Sequence, residues 1–316
     1  MERCADLLPD YFSFVKGLVD SSDLSLNISR EMLQHDRQLK VIAKAIEKKI
    51  KSELEKLMRT DREKYEKFFD AFGMQLKFGL YSDFGMHKDV LEDLVMFRSS
   101  NEKKYVTLKE YVSSMKDEQK YIYYAPGESA AKIDMLPQVE AVVEKGYEVL
   151  YLTDDVDEFA LKVIGKYADK EFKNVTAESL DISTDEEKEA IRKENESAED
   201  MLKYMGEALP SVSAVRFTNA LKNRAVCLSS DGEVSVEMEK VLKRMPGADG
   251  EAPKASVALE INSTHPISEK LKALYDTDKE KLTKYAKLLY NEACLISGVE
   301  IENPLEFTEL ISELMI

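Results

Sequence analysis

Leu39, Ile42, Ile46, Ile50, Leu54 and Leu57 recur three and four residues apart, with Lys44, Glu47, Lys48, Lys49, Lys51, Glu53 and Glu55 between them. One apolar stripe against a charged face predicts an amphipathic helix. Before it, Leu24, Leu26 and Ile28 alternate with polar residues, which predicts an extended stretch with one buried face. Ser29 is placed to cap the helix that follows. Residues 7 to 19 are apolar and strand-like but have no earlier strand to pair with, so the pattern predicts either a chain cut inside a sheet or a small amino-terminal hairpin. More helix is predicted through 61–80 and 87–97, interrupted at Gly79, Gly85 and neighbouring polar residues.

From 105 to 175 the period changes. Tyr121-Ile122-Tyr123-Tyr124 is a β-favouring aromatic run that ends at Ala125-Pro126-Gly127. A helix is predicted over 129–145, a strand over 148–152, a helix over 156–168 and a short strand near 172–175. That alternation predicts a right-handed parallel crossover with helices covering the sheet. A charged helix over 183–208 reads as a connector, and Gly206 and Pro210 mark a boundary. Strands are predicted within 214–230 and at 256–262, with a loop of turn-forming residues over 246–253 between them.

The two last helices give the clearest pattern. Residues 278–297 place Leu282, Leu289 and Ile296 seven apart, with Tyr285, Ala286 and Ala293 on the same side. Asn303 then caps a helix with Pro304 at its first position and Glu306 at its third. Phe307, Leu310, Ile311, Leu314 and Met315 form its stripe. Such a pair packs onto its own domain, or with a second copy as a four-helix bundle; the pattern alone leaves both open.

Length and charge narrow the function. At 316 residues the chain fits two or three domains, and 44% hydrophobic residues suffice for a sizeable core. A net charge of −16 argues against binding nucleic acid or anionic lipid. No run approaches the roughly 18 apolar residues of a membrane span. The opening residues carry no basic stretch followed by an apolar one, so no secretory leader is expected. Cys4, Cys227 and Cys294 are widely spaced and odd in number, as expected of free thiols in a reducing cytoplasm.

Candidate chemistry is sparse. His35, His87 and His265 have no partners at metal-ligand spacing, so no metal is expected. Asp154 and Asp155 follow a predicted strand, where open parallel sheets often bind ligands, and would suit a stand-alone magnesium-dependent phosphoryl-transfer enzyme. No phosphate-cradling glycine loop accompanies them, and carboxylates at a helix start also answer the helix dipole. Arg30 falls in the first turn of its helix, where its charge opposes the dipole at a cost of a few tenths to about 1 kcal/mol. Beside Asn27 and Gln34 it has the build of a phosphate-reaching group, although an ordinary surface arginine fits the pattern too. Met238, Val241, Leu242 and Met245 form a methionine-rich helical stripe, either plain core or an adaptable binding surface.

Leu24-Ser25-Leu26-Asn27-Ile28-Ser29-Arg30-Glu31-Met32-Leu33-Gln34 closely resembles the most recognisable segment of the heat shock protein 90 middle domain. The similarity continues through Leu8 to Ser21, Gly73 to Gly79, Tyr121 to Ser129 and Glu148 to Asp154, and so covers essentially the whole chain. The absence of an acidic tail after Ile316 makes the chain look bacterial.

The resemblance implies an α/β and α+β multidomain fold. A truncated remnant of the large middle subdomain would occupy 1–35 and a helical linker subdomain 36–100. A small α-β-α subdomain would follow at 101–205, and a C-terminal dimerisation domain at 206–316. It further implies a homodimeric, cytoplasmic chaperone for unfolded or partly folded client proteins. Arg30 would contact the γ-phosphate of ATP held with magnesium by a domain this chain lacks, helped by Asn27 and Gln34; the fragment itself would bind no cofactor. Met238, Val241, Leu242 and Met245 would touch clients. Leu282, Leu289, Ala293, Ile296, Phe307, Leu310, Ile311 and Leu314 would dimerise.

Overall fold

A computed structural model describes residues 7–20, 37–82, 84–177, 180, 182–245 and 253–316. They form two compact units: Met1–Ser99 with Lys103–Met115 and Val156–Glu171, and Ser100–Glu102 with Lys116–Asp155 and Phe172–Ile316. The fold is mixed α and β, multidomain, as the sequence implied.

The first unit is built on two long helices. Helix α1 (Arg37–Thr60) carries the anticipated stripe; its Leu39 and Leu54 are buried, while Ile42, Ile46 and Ile50 stay half-buried. Asp61 separates it from α2 (Arg62–Ser82), its carboxylate accepting from the backbone N–H of Lys64 at 3.1 Å. The strand expected at 7–19 does not form. Residues Asp10–Phe12 instead make one 3-10 turn whose Tyr11 and Phe12 are buried. Tyr11 lies flat enough on α2 that a Cβ on Gly79 would fall 2.6 Å from its side chain.

The helix expected at 87–97 is also corrected. It shrinks to α3 (Lys88–Leu91), and β1 (Met96–Ser99) follows, paired antiparallel with β2 (Tyr105–Thr107). Leu94, Val95, Met96 and Phe97 are all buried; an unbroken apolar run of this kind suits a strand covered on both faces. Thr107 starts α4 (Leu108–Ser114) with a complete capping box to Glu110. The unit ends with α7 (Asp157–Ile164) and a hairpin of β5 (Lys166–Tyr167) and the start of β6 (Lys170–Asn174), whose last three residues belong to the second unit. Ala168 and Asp169 take positive φ in its two-residue turn, the geometry that matches strand twist.

In the second unit β3 (Tyr121–Pro126) and β4 (Val149–Leu152) pair in parallel, as expected, with the crossover helix between them. That helix is broken into α5 (Ala130–Asp134) and α6 (Pro137–Glu144). Leu136 precedes a proline and so is held extended, ending one helix while Pro137 starts the next. The connector likewise divides at Ala198 into α8 (Asp185–Ser197) and α9 (Glu199–Glu207).

A three-stranded sheet in the order β7 (Ala214–Thr218), β9 (Val257–Asn262), β8 (Val226–Ser230) follows. Its Val215, Phe217, Val226, Leu228, Leu259 and Ile261 share one core with α9, α11 (Pro266–Thr277) and α12 (Lys279–Ile296). Between β8 and β9 lies α10 (Val236–Arg244), and α13 (Pro304–Leu314) ends the chain. Asn303 caps α13 as anticipated, accepting from Glu306 N at 3.1 Å.

Candidate functional site

Arg30, Asn27 and Gln34 lie outside the described residues, so no geometry attaches to them here. The other candidates can be placed.

Helix α10 is amphipathic because apolar residues fall at 238, 241 and 242 among charged ones, and Ser235 caps it by accepting from Met238 N at 3.0 Å. Met238 and Val241 face inward and are buried, and Leu242 is half-buried. Only Met245, just past the helix, keeps a large exposed fraction, 39%. The four residues therefore do not form one open stripe; the helix uses most of it to hold itself down. Beside α10 is a cavity of about 160 Å³ lined by Ile133, Leu136, Leu228, Val236, Leu295 and Ile296, with Glu128 and Lys240 among its polar walls.

Charges ring that cavity. Lys132 pairs with Glu128 one turn earlier, and Lys240 reaches the same carboxylate at 3.8 Å. The Lys132 hydrogen bond, then the charges of Lys132 and Lys240, hold the Glu128 carboxyl below the usual carboxylate range. Arg244 Nη2 donates to Asp155 Oδ1 at 3.0 Å. The sequence offered Asp154 and Asp155 as an alternative magnesium site. Here the Asp155 carboxylate is spent on an exposed guanidinium, and among the described residues no group of three His, Cys, Asp or Glu side chains is arranged to hold a metal ion. His265 serves as the cap of α11, its Nδ1 accepting from Ile267 N at 3.2 Å.

On the opposite face of the three-stranded sheet, Arg216, Glu260 and Cys227 align across the strands. Arg216 Nε donates to Glu260 Oε1 at 3.1 Å, and the Cys227 thiol lies 3.8 Å from Glu260 Oε2. Burial first, then the adjacent carboxylate, pushes this thiol well above its ordinary range. The thiol is fully buried.

The terminal helices divide their apolar residues between two tasks. Leu282, Leu289 and Ala293 are buried in the unit's own core, together with Ala286. Their area is already withdrawn from water within one chain. On α13 Leu310 is buried, while Phe307, Ile311 and Leu314, like Ile296 on α12, are partly exposed. Lys287–Glu306 at 2.7 Å and Lys284–Glu313 tie α13 to α12. The apolar surface left in water is carried by Leu295 (59% exposed), Leu305 (69%), Met315 and Ile316. Heptad reading missed Leu295 and Leu305 because they fall off the repeat; their signal was only that leucines stood where polar residues were due.

The first unit holds an element that no motif announced. Lys77 on α2 and Asp157 at the start of α7 are 3% and 1% exposed and pair at 2.7 Å. The Lys77 ammonium also lies over the Phe97 ring, 4.8 Å from its centre.

Among the described residues no helix is long and apolar enough to cross a membrane. The family description "Hsp90 protein" matches residues 1–316. The chain is 59% identical over 316 residues to "Chaperone protein HtpG" of Clostridium acetobutylicum, 57% to that of Clostridium perfringens, and 55% over 317 residues to that of Bacillus subtilis. In each case all of this chain and 50% of the relative is covered, so the chain spans about half the length of the curated relatives it matches. None of this favours the magnesium-enzyme alternative. With a match along its whole length and relatives 55–59% identical, this chain belongs to the heat shock protein 90 family.

Proposed function

We propose that this chain is the client-holding, dimerising part of a bacterial, cytoplasmic heat shock protein 90 chaperone. The observation that carries the reading is the family match along all 316 residues. In this reading residues 206–316 are the dimerisation domain, 101–205 a small middle subdomain, 36–100 a helical linker and 1–35 the remnant that bears Arg30. Arg30, with Asn27 and Gln34, meets the γ-phosphate of ATP and magnesium carried elsewhere in the full-length protein. A guanidinium delivered there would stabilise developing charge on the phosphoryl group.

Unfolded polypeptide is the substrate class, and the surface around α10 (Met238, Val241, Leu242, Met245) is where we place its contact. Leu295, Leu305 and Met315 add to Phe307, Ile311 and Leu314 as the apolar area that a second copy covers. Support comes from the exposure of Leu295, Leu305 and Met315 and the partial exposure of the other three, beside α12, whose Leu282, Ala286, Leu289 and Ala293 are packed in the core.

The test is light scattering of the purified chain with aggregation assays on a heat-unfolded protein. The expected result is a dimer of 36.0 kDa chains that suppresses aggregation. Arg30→Ala should leave both properties intact, and Leu305→Glu should shift the chain toward monomer. A wild-type monomer at micromolar concentration would overturn the dimer reading, and failure to suppress aggregation the chaperone reading.

A further inference from the structure

The attachment of α10 is unusual for a helix inside a compact unit. Met238 and Val241 are its buried apolar side chains, with Val236 and Leu242 half-buried beside them. Polar tethers add to these. Lys240 Nζ donates to the Gly298 carbonyl at 2.9 Å, beyond the end of α12, and pairs with Glu128 before α5. One turn on, Arg244 Nη2 reaches Asp155 Oδ1, past the end of β4. Glu239 Oε2 accepts from Ala255 N at 2.8 Å, on the approach to β9. The ion pairs are half or more exposed, except at Lys240, which is 28% exposed.

At its amino-terminal end the helix follows Gly232, whose φ of +123° only glycine adopts freely and around which a Cβ would meet nothing within 4 Å. Behind the helix lies the cavity walled by Ile133, Leu136 and Leu228, a space that the helix borders without filling.

From these observations we infer that α10 is a flap hinged at Gly232 and latched shut by Lys240–Glu128, Lys240–Gly298 and Arg244–Asp155. When shut, it keeps Met238 and Val241 from water; when released, it presents them beside the cavity as one methionine-bearing apolar surface. Exposed ion pairs weaken as salt rises, whereas apolar burial does not, so ionic strength and competing charged segments govern the latch. Use of the opened surface for unfolded polypeptide rests on the function proposed above; the latch itself does not.

Hydrogen exchange followed by mass spectrometry on the whole chain tests this, comparing wild type with the double variant K240Q/R244Q. Each exposed pair contributes at most a few-fold in the opening equilibrium, so losing both, with the Gly298 bond, is expected to speed exchange across 236–244 by about tenfold. Wild type moved from about 0.05 M to about 1 M sodium chloride should follow in the same direction. R244K, which keeps the charge, should stay close to wild type, and α12 amides should be unchanged throughout. Exchange in α10 that stays within about twofold of wild type, or that rises equally in α12, overturns the latch. Faster α10 exchange with unaltered capture of a reduced, carboxymethylated test protein upholds the latch and overturns α10 as the polypeptide-binding surface.

Discussion

Replacing Lys77 by methionine should be among the most damaging single changes in the first unit. The ammonium and the Asp157 carboxylate are 2.7 Å apart, with 3% and 1% of their side chains exposed. Removing the lysine takes the ammonium away from a buried carboxylate, and breaking such pairs costs about 3–5 kcal/mol. Methionine keeps the unbranched stem against Phe69 and Phe97, so the loss measured is electrostatic rather than a cavity. With a urea slope of about 2 kcal/mol per molar, that predicts a midpoint lowered by about 1.5–2.5 M, read by circular dichroism. The double variant Lys77→Met with Asp157→Leu removes both charges and should recover most of the loss, because apolar replacement of a buried pair is often neutral or stabilising. A single variant within about 1 kcal/mol of wild type, or a double no better than the single, would refute the reasoning.

Two further outcomes follow from the structure. Gly79→Ala places a Cβ 2.6 Å from the Tyr11 side chain, so it should cost about 1–3 kcal/mol and detach residues 7–20, seen as faster proteolysis there. Burial raises the Cys227 thiol, and burial with the Asp134 hydrogen bond raises Tyr151, each above its ordinary value. The native state then keeps protons that the unfolded chain releases, so stability present below the ordinary thiol value of 9.0 declines as pH rises above it. The urea midpoint should be lower at about pH 10.5 than at about pH 8, by about 0.5 M or more; an equal or higher midpoint at the alkaline pH contradicts the assignment.

Much of the secondary structure was legible because its causes are local. The α1 stripe, the parallel pair β3 and β4, and the Asn303-Pro304 start of α13 each rest on periodicity or capping within a few residues. The errors share a cause as well. Residues 7–19 read as a strand because apolar composition cannot distinguish a strand from a packed turn; the docking of Tyr11 on Gly79, nearly seventy residues away, decided it. Residues 94–97 read as helix because a short run buried on all sides has no period. The break at Leu136 was visible in Pro137 but was overridden by the apolar pattern around it.

Family membership was legible from the sequence, since an uninterrupted match needs no coordinates. What tertiary structure decided was which apolar residues remain available. Met238 and Leu289 look like binding residues in one dimension, and both are buried within their own unit. Leu295 and Leu305 look incidental and are the ones left in water. Charge partners belong to the same class: nothing in the spacing of Lys77 and Asp157, or of Arg244 and Asp155, brings them together. Propensity and capping act over a single turn, whereas burial and ion pairing depend on distances between segments far apart along the chain, and only the folded arrangement sets those.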